Sequence, residues 1–212
     1  MPGKSTKTFN LDAFSLAMTK ETDRGCGVLG AALLDSKLEL LFQRKLRTFH
    51  DKLLGKMGPL GTFSARIRAA RALVWIGEDV RADLDTVRDI RNEFAHSWDH
   101  ALEFTDQAIA DRCRNLRTAT AFVEGHVTPP GGLMLSTSML NTLRQKFSEP
   151  RVRYEVAVGF LAQHLDEIPG ETAEYSGPDV LAEIRKLSSE TLCSADGSGI
   201  PLFVAKSAIS GD

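Results

Sequence analysis

An all-α fold is predicted by three observations. Apolar residues recur at helical spacing through most of the chain. The breaks between these runs are clusters of Gly and Pro at 53–61, 128–132 and 169–170. No pair of alternating strands is present, and no internal repeat. The clearest pattern runs from Glu78 to Ser97. At about 100° per residue, Val80, Leu84, Val87, Ile90 and Phe94 share one broad side, and Asp85, Asp89, Asn92 and His96 fall within about 60° of one another on the opposite side. Arg91 projects among Val80, Leu84 and Val87, towards the core. A guanidinium keeps its charge, so a buried one needs a carboxylate partner.

The elements follow in order. Residues 1–9 are polar and read as a flexible arm. Asn10 caps a short helix, Leu11 to Thr19, and a longer helix runs from about Thr22 to Arg47. Val28, Ala31, Leu34, Leu38, Leu41 and Phe42 form its apolar face, with Asp35 inside that face and Glu39 at its edge. These carboxylates are candidate partners for Arg91 in a structural ion pair. A tilted solvent boundary is the alternative. Leu53 to Gly61 reads as a connector; its glycines suggest a phosphate loop, but the G-K-[ST] ending is missing. Thr62 or Ser64 caps a third helix reaching Ile76. Its Arg66, Arg68 and Arg71 form a strip that is either a solvated face or an anion or RNA contact. Gly77 separates it from the Glu78–Ser97 helix.

Thr105 or Asp106 caps the next helix, through Thr118 or beyond, with Ile109, Cys113 and Leu116 inward. Trp98 and Phe104 are expected to cover the end of the central helix. A short helix is expected around Ser138 to Phe147. Pro150 begins another on which Val152, Val156, Val158, Phe160, Leu161, Leu165 and Ile168 wrap most of the circumference, as on a central or interface helix. Pro169-Gly170 ends it. Residues 10–169 form the helical domain. Residues 170–212 form a partly irregular C-terminal extension with one plausible helix, Pro178 to Leu187.

Composition narrows the function classes. The chain has 212 residues, 42% of them hydrophobic, which suits one substantial core, and its net charge of −2 does not mark a nucleic-acid binder. Cys26, Cys113 and Cys193 lie far apart without metal-ligand spacing, so free thiols in a reducing cytoplasm are expected, and neither a metal nor another cofactor. No apolar run reaches the roughly 18 residues of a membrane span, and the N-terminus lacks a secretory pattern.

Four segments together carry a family resemblance: R-G-C-G-V-L-G-A-A-L-L-D-S-K-L-E-L-L (Arg24 to Leu41), G-P-L-G-T-F-S-A-R-I (Gly58 to Ile67), I-R-N-E-F-A-H-S (Ile90 to Ser97) and I-A-D-R-C-R-N-L (Ile109 to Leu116). In this order they resemble the mannitol operon repressor, or MtlR-like, family over roughly Asp12 to Leu165. The resemblance implies a compact multi-helix bacterial regulator, a transcriptional repressor of sugar-alcohol uptake genes. The family lacks an obvious helix-turn-helix. No basic recognition helix stands out here either, so action mainly through a protein partner is expected rather than direct DNA reading.

Arg91 to His96 also resembles the R-x4-H motif of HEPN domains, helical proteins that include metal-independent endoribonucleases. Asn92 occupies a position that is commonly Asn, Asp or His in those enzymes. RNA cleavage by 2′-OH attack needs a base, an acid and a cation for the phosphorane. His96 and Arg91, with Asn92 orienting the imidazole, are the candidate catalytic residues, and RNA is the substrate in that alternative. Residues five apart on a helix point about 140° apart. Joint chemistry therefore needs a helix break before His96 or a homodimer that brings two copies together. Asp85 and Asp89 would repel a phosphate backbone. In the structural alternative Arg91 pairs with Asp35 or Glu39, and His96 caps the helix's last carbonyls.

Overall fold

The computed structural model describes residues 9–46, 50–97, 102–121 and 145–170. Their helices are α1 (Leu11–Met18), α2 (Asp23–Lys45), α3 (His50–Leu54), α4 (Phe63–Ala72), α5 (Glu78–His96), α6 (Gln107–Arg114) and α7 (Pro150–Glu167). Residues 117–121 and 145–148 are helical as well, and no strand occurs among the described residues. The all-α class is as the sequence predicts. The expected helix from Pro178 to Leu187, Trp98 and Cys193 lie outside the described residues, as does most of the 138–147 helix.

Local chemistry sets the helix starts. Asn10 Oδ1 accepts from the Ala13 amide at 2.8 Å, Thr22 Oγ1 from Gly25 at 3.1 Å and Thr62 Oγ1 from Ala65 at 3.2 Å. Each satisfies one of the amides that a helix leaves without an internal acceptor. Pro150 opens α7, where its missing N–H costs nothing.

α2, α5 and α7 pack on one another at the centre, with α4 against α2 and α5, α6 against α5 and α7, and α1 against α7. Leu34, Leu38 and Leu41 of α2, Leu84, Val87 and Ile90 of α5, and Val158, Leu161 and Leu165 of α7 are fully buried. Each such side chain contributes roughly 1.5–3 kcal/mol of transfer free energy. On α7 Tyr154 to Ala162 is buried without interruption, so this helix is central, as its apolar circumference predicts. Gly27 and Gly30 let α2 approach its neighbours. A Cβ on Gly27 would lie 2.4 Å from the Phe94 ring, and one on Gly30 would lie 2.8 Å from the Tyr154 hydroxyl. Phe104 covers the buried end of α5, its ring centroid 5.1 Å from that of Phe94. No described helix is long and apolar enough to cross a membrane.

Arginines close helix C-termini across the bundle. Arg44 donates to the Leu165 and Asp166 carbonyls at the end of α7 (2.6 and 2.9 Å). Arg153 reaches the Cys113 carbonyl of α6 at 3.1 Å, and Arg66 the Leu54 carbonyl of α3 at 3.2 Å. Arg24 donates to the Ser97 carbonyl just past α5. Terminal carbonyls lack intrahelical donors, and a forked guanidinium reaching from another helix satisfies them while tying the two elements together.

α4 stops at Ala72 rather than reaching Ile76. The Val74 amide bonds to the Arg71 carbonyl at 3.0 Å and the Trp75 amide to Ala70 at 2.9 Å, the bond pair of a Schellman ending. That motif needs a left-handed residue where Val74 sits, at φ 58°. β-Branched residues are strained there. Val74 is also 57% exposed, so its side chain has little packing to lose. Val74→Gly is therefore expected to raise stability by about 1 kcal/mol, read as a higher urea midpoint with an unchanged slope. The helix predicted from 107 to Thr118 breaks at Asn115-Leu116 and restarts at 117. Asp83, buried on α5, makes that restart. Its carboxylate accepts from the amides of Arg117 (2.9 Å) and Thr118 (2.8 Å) and from the Thr118 hydroxyl at 2.5 Å.

Candidate functional site

The second half of α5 carries the residues singled out by the sequence, and the structure separates them by role. Arg91 is exposed. Its Nη1 donates to Asn92 Oδ1 at 3.0 Å, not to a carboxylate of α2. The buried arginine that meets those carboxylates is Arg66 of α4. It is 5% exposed, with Nη1 2.5 Å from Asp35 Oδ1 and Nη2 2.9 Å from Glu39 Oε2. The expected ion pair thus exists with the expected acids and a different base. The reason is where neighbours cover α5. Its buried set includes Asp83, Ile90 and Phe94, which shifts the centre of the core face away from the Leu84–Arg91 flank. At the level of Arg91 that flank opens into a groove between α2 and α4.

The predicted arginine strip is likewise divided. Arg66 is interior, Arg71 Nε donates to Glu78 at 3.2 Å, and Arg68 is exposed. The acidic residues of α5 are matched. Asp85 lies 2.5 Å from both Arg81 and Arg88, and Asp89 lies 2.9 Å from Arg88. Hydrogen bonds from Arg81 and Arg71 hold the Glu78 carboxyl down at about 2. His96 is exposed in the last turn, and α5 is helical through it. The carbonyl of Ser97 is taken by Arg24, not by His96.

The groove encloses about 410 Å³. Val28, Ala31 and Ala32 of α2 and Phe63 of α4 give it an apolar floor. Ser64, Arg88, Arg91 and Asn92 give it a polar edge, and Asp35 closes one end. Continuity of α5 through His96 keeps that imidazole about 140° around the helix from Arg91, and His96 is not among the groove's lining residues.

A buried cluster has no counterpart in the sequence reading. Arg151 of α7 donates to Glu155 (2.9 Å), to Asp23 (2.7 Å) and to the carbonyls of Met18 and Glu21 (2.8 and 2.9 Å). Cys26 Sγ donates to Glu155 Oε1 at 3.6 Å. Burial pushes the Glu155 carboxyl up against the opposing pull of Arg151, and burial beside that carboxylate pushes the Cys26 thiol up. A thiol so disfavoured as thiolate is not a nucleophile. Cys113 is also a buried free thiol, pushed up to about 12 by burial. The available signal was i,i+4 spacing of Arg151 and Glu155 on an otherwise apolar helix.

Fold and groove define a class: an all-helical bundle cross-braced by arginines, with exposed Arg91 and half-buried Asn92 at the rim of an open groove. A solved structure shares the helical fold. The chain matches one chain of the X-ray structure of the MtlR–HPr complex from Escherichia coli, with a TM-score of 0.52 and 21% sequence identity. The match covers 73% of this chain and 99% of that one. At this identity the likeness establishes the fold. No family model matches the sequence, nor does any curated protein.

Proposed function

We propose that this chain is a bacterial regulatory protein of the MtlR-like kind that works by binding another protein, and that its regulated genes are those for sugar-alcohol uptake. The observation that carries this reading is the fold match across 99% of a chain whose solved structure is a complex with HPr. No basic recognition helix suited to base edges stands out among the described residues, which favours a protein target. An HPr protein is the first partner to try. Calorimetric titration of the purified chain with HPr from its own host and from Escherichia coli is expected to give a saturable complex. Absence of a complex with either, or tight operator-specific DNA binding by the chain alone, would count against the proposal.

A second reading is supported by the exposure of Arg91 and His96, with half-buried Asn92 between them, on one continuous helix. A HEPN-type ribonuclease would use these residues across a homodimer, since one helix cannot aim Arg91 and His96 at the same phosphate. RNA incubated with the protein in EDTA is cleaved under this reading, and cleavage disappears in Arg91→Ala and in His96→Ala. Intact RNA with folded wild-type protein ends it.

A further inference from the structure

The groove between α2, α4 and α5 has the size and lining of a small-ligand site. Its volume of about 410 Å³ falls in the range of clefts that hold small molecules, which combine an apolar surface with a few convergent polar groups. The charged residues facing it are not equivalent. Asp35 is held by Arg66 at 2.5 Å. Arg88 is engaged by Asp85 at 2.5 Å, by Asp89 at 2.9 Å and by the Ser64 hydroxyl at 3.2 Å. Among the described residues Arg91 bonds only a neutral amide, at 3.0 Å, so its charge remains available. With Oδ1 of Asn92 accepting from Arg91, the Asn92 NH₂ group is left as a donor beside it. The groove thus presents a guanidinium fork and an amide donor next to an apolar floor.

We propose that this groove binds a small organic anion, a phosphate monoester or carboxylate bearing a compact apolar group. Arg91 and the Asn92 amide take the anionic head, and the apolar part lies against Val28, Ala31 and Phe63. Arg91 supplies charge-assisted hydrogen bonds, which are stronger than those between neutral groups. An extended polyanion fits less well. Asp85 and Asp89 lie on the same helix beside the groove, and successive phosphates would meet them. The site is separate from the protein-contact reading and does not depend on it.

The test uses the full chain and phenyl phosphate as probe, followed by amide NMR titration and calorimetry. Benzoate, inorganic phosphate and benzyl alcohol serve as the carboxylate, head-only and apolar-only arms. Saturable shifts centred on Ser64, Arg91 and Asn92 are expected with phenyl phosphate. The benzoate arm shows whether the head is best a carboxylate or a phosphate, and either preference supports the site. Inorganic phosphate and benzyl alcohol each bind more weakly than the whole probe. Arg91→Ala weakens binding about tenfold or more, while Arg91→Lys retains part of it. Arg91 is exposed, so its removal leaves the fold intact, which circular dichroism checks. Ala32→Leu, at an exposed position on the groove floor, blocks the probe by filling its space. The proposal is overturned if no probe saturates, if Arg91→Ala binds as well as wild type, or if the shifts map to another face. None of these outcomes bears on whether HPr binds.

Discussion

Replacing Asp35 and Glu39 together by their amides, as Asp35→Asn with Glu39→Gln, lowers the unfolding free energy by about 3 kcal/mol in urea denaturation at neutral pH. Arg66→Met costs less, about 1–2 kcal/mol, and Arg91→Ala stays within about 0.5 kcal/mol of wild type. The order follows from where each charge sits. The Arg66 side chain is 6% exposed, whereas those of Asp35 and Glu39 are 35% and 40% exposed. Without Arg66 the two carboxylates turn to water. With amides in their place a guanidinium stays buried with neutral acceptors only, the two amide oxygens and the Leu54 carbonyl, and its Nε already lacks a partner among the described residues. Burying a charge without a counter-charge is the larger penalty. If Arg91→Ala instead proved as damaging as the double amide, Arg91 would be the buried partner and the assignment to Arg66 would fail.

That same ion pair shows how far sequence patterning reaches. Asp35 and Glu39 stand out because they interrupt an apolar face, and the need for a buried cation follows from solvation alone. Which arginine answers depends on how α4 lies against α2, a tertiary fact with no local signature. On a helical wheel Arg91 sits near Val80 and Leu84, but the wheel does not say which arc the neighbours cover. Buried Asp83 extends that arc on the side away from Arg91, and its aspartate identity disguised it as a surface residue. The capped starts of α1, α2 and α4 were legible because Asn10, Thr22 and Thr62 act within a few residues of themselves. The end of α4 was not, because Val74 occupies a position for which glycine is the usual marker, and Gly77 drew the boundary three residues too late. The Arg91–Asn92 pair was visible as a motif. The groove beside it was not, since it forms where α2 packs against α4 and α5, a contact distant in sequence.

Acid weakens this fold through His164. The imidazole is buried on α7, its Nε2 has no hydrogen-bond partner among the described residues, and burial pushes its pKa from the ordinary 6.5 down to about 4. In the unfolded chain the ring takes a proton near pH 6.5, while in the folded state it resists until about pH 4. The unfolded state therefore binds the extra proton throughout that window. Stability is full above pH 6.5 and is lost as pH falls, at about 1.4 kcal/mol per unit, reaching roughly 3 kcal/mol near pH 4. Asp83 and Glu155 act in the opposite sense. Burial raises both carboxyls, so their contribution grows as pH falls and is lost as pH rises through their folded-state values. The wild-type profile mixes the two effects, and a variant separates them. His164→Leu removes the titration and the orphaned nitrogen while leaving Asp83 and Glu155 in place. Urea midpoints for both proteins at pH 7 and pH 4.5 are expected to diverge, the variant gaining between 2 and 3 kcal/mol, about two units of the window, relative to wild type at the lower pH. Parallel profiles would mean that His164 reaches water or a partner in the folded state, and that α7 is packed less tightly around it than its neighbours Leu161 and Leu165.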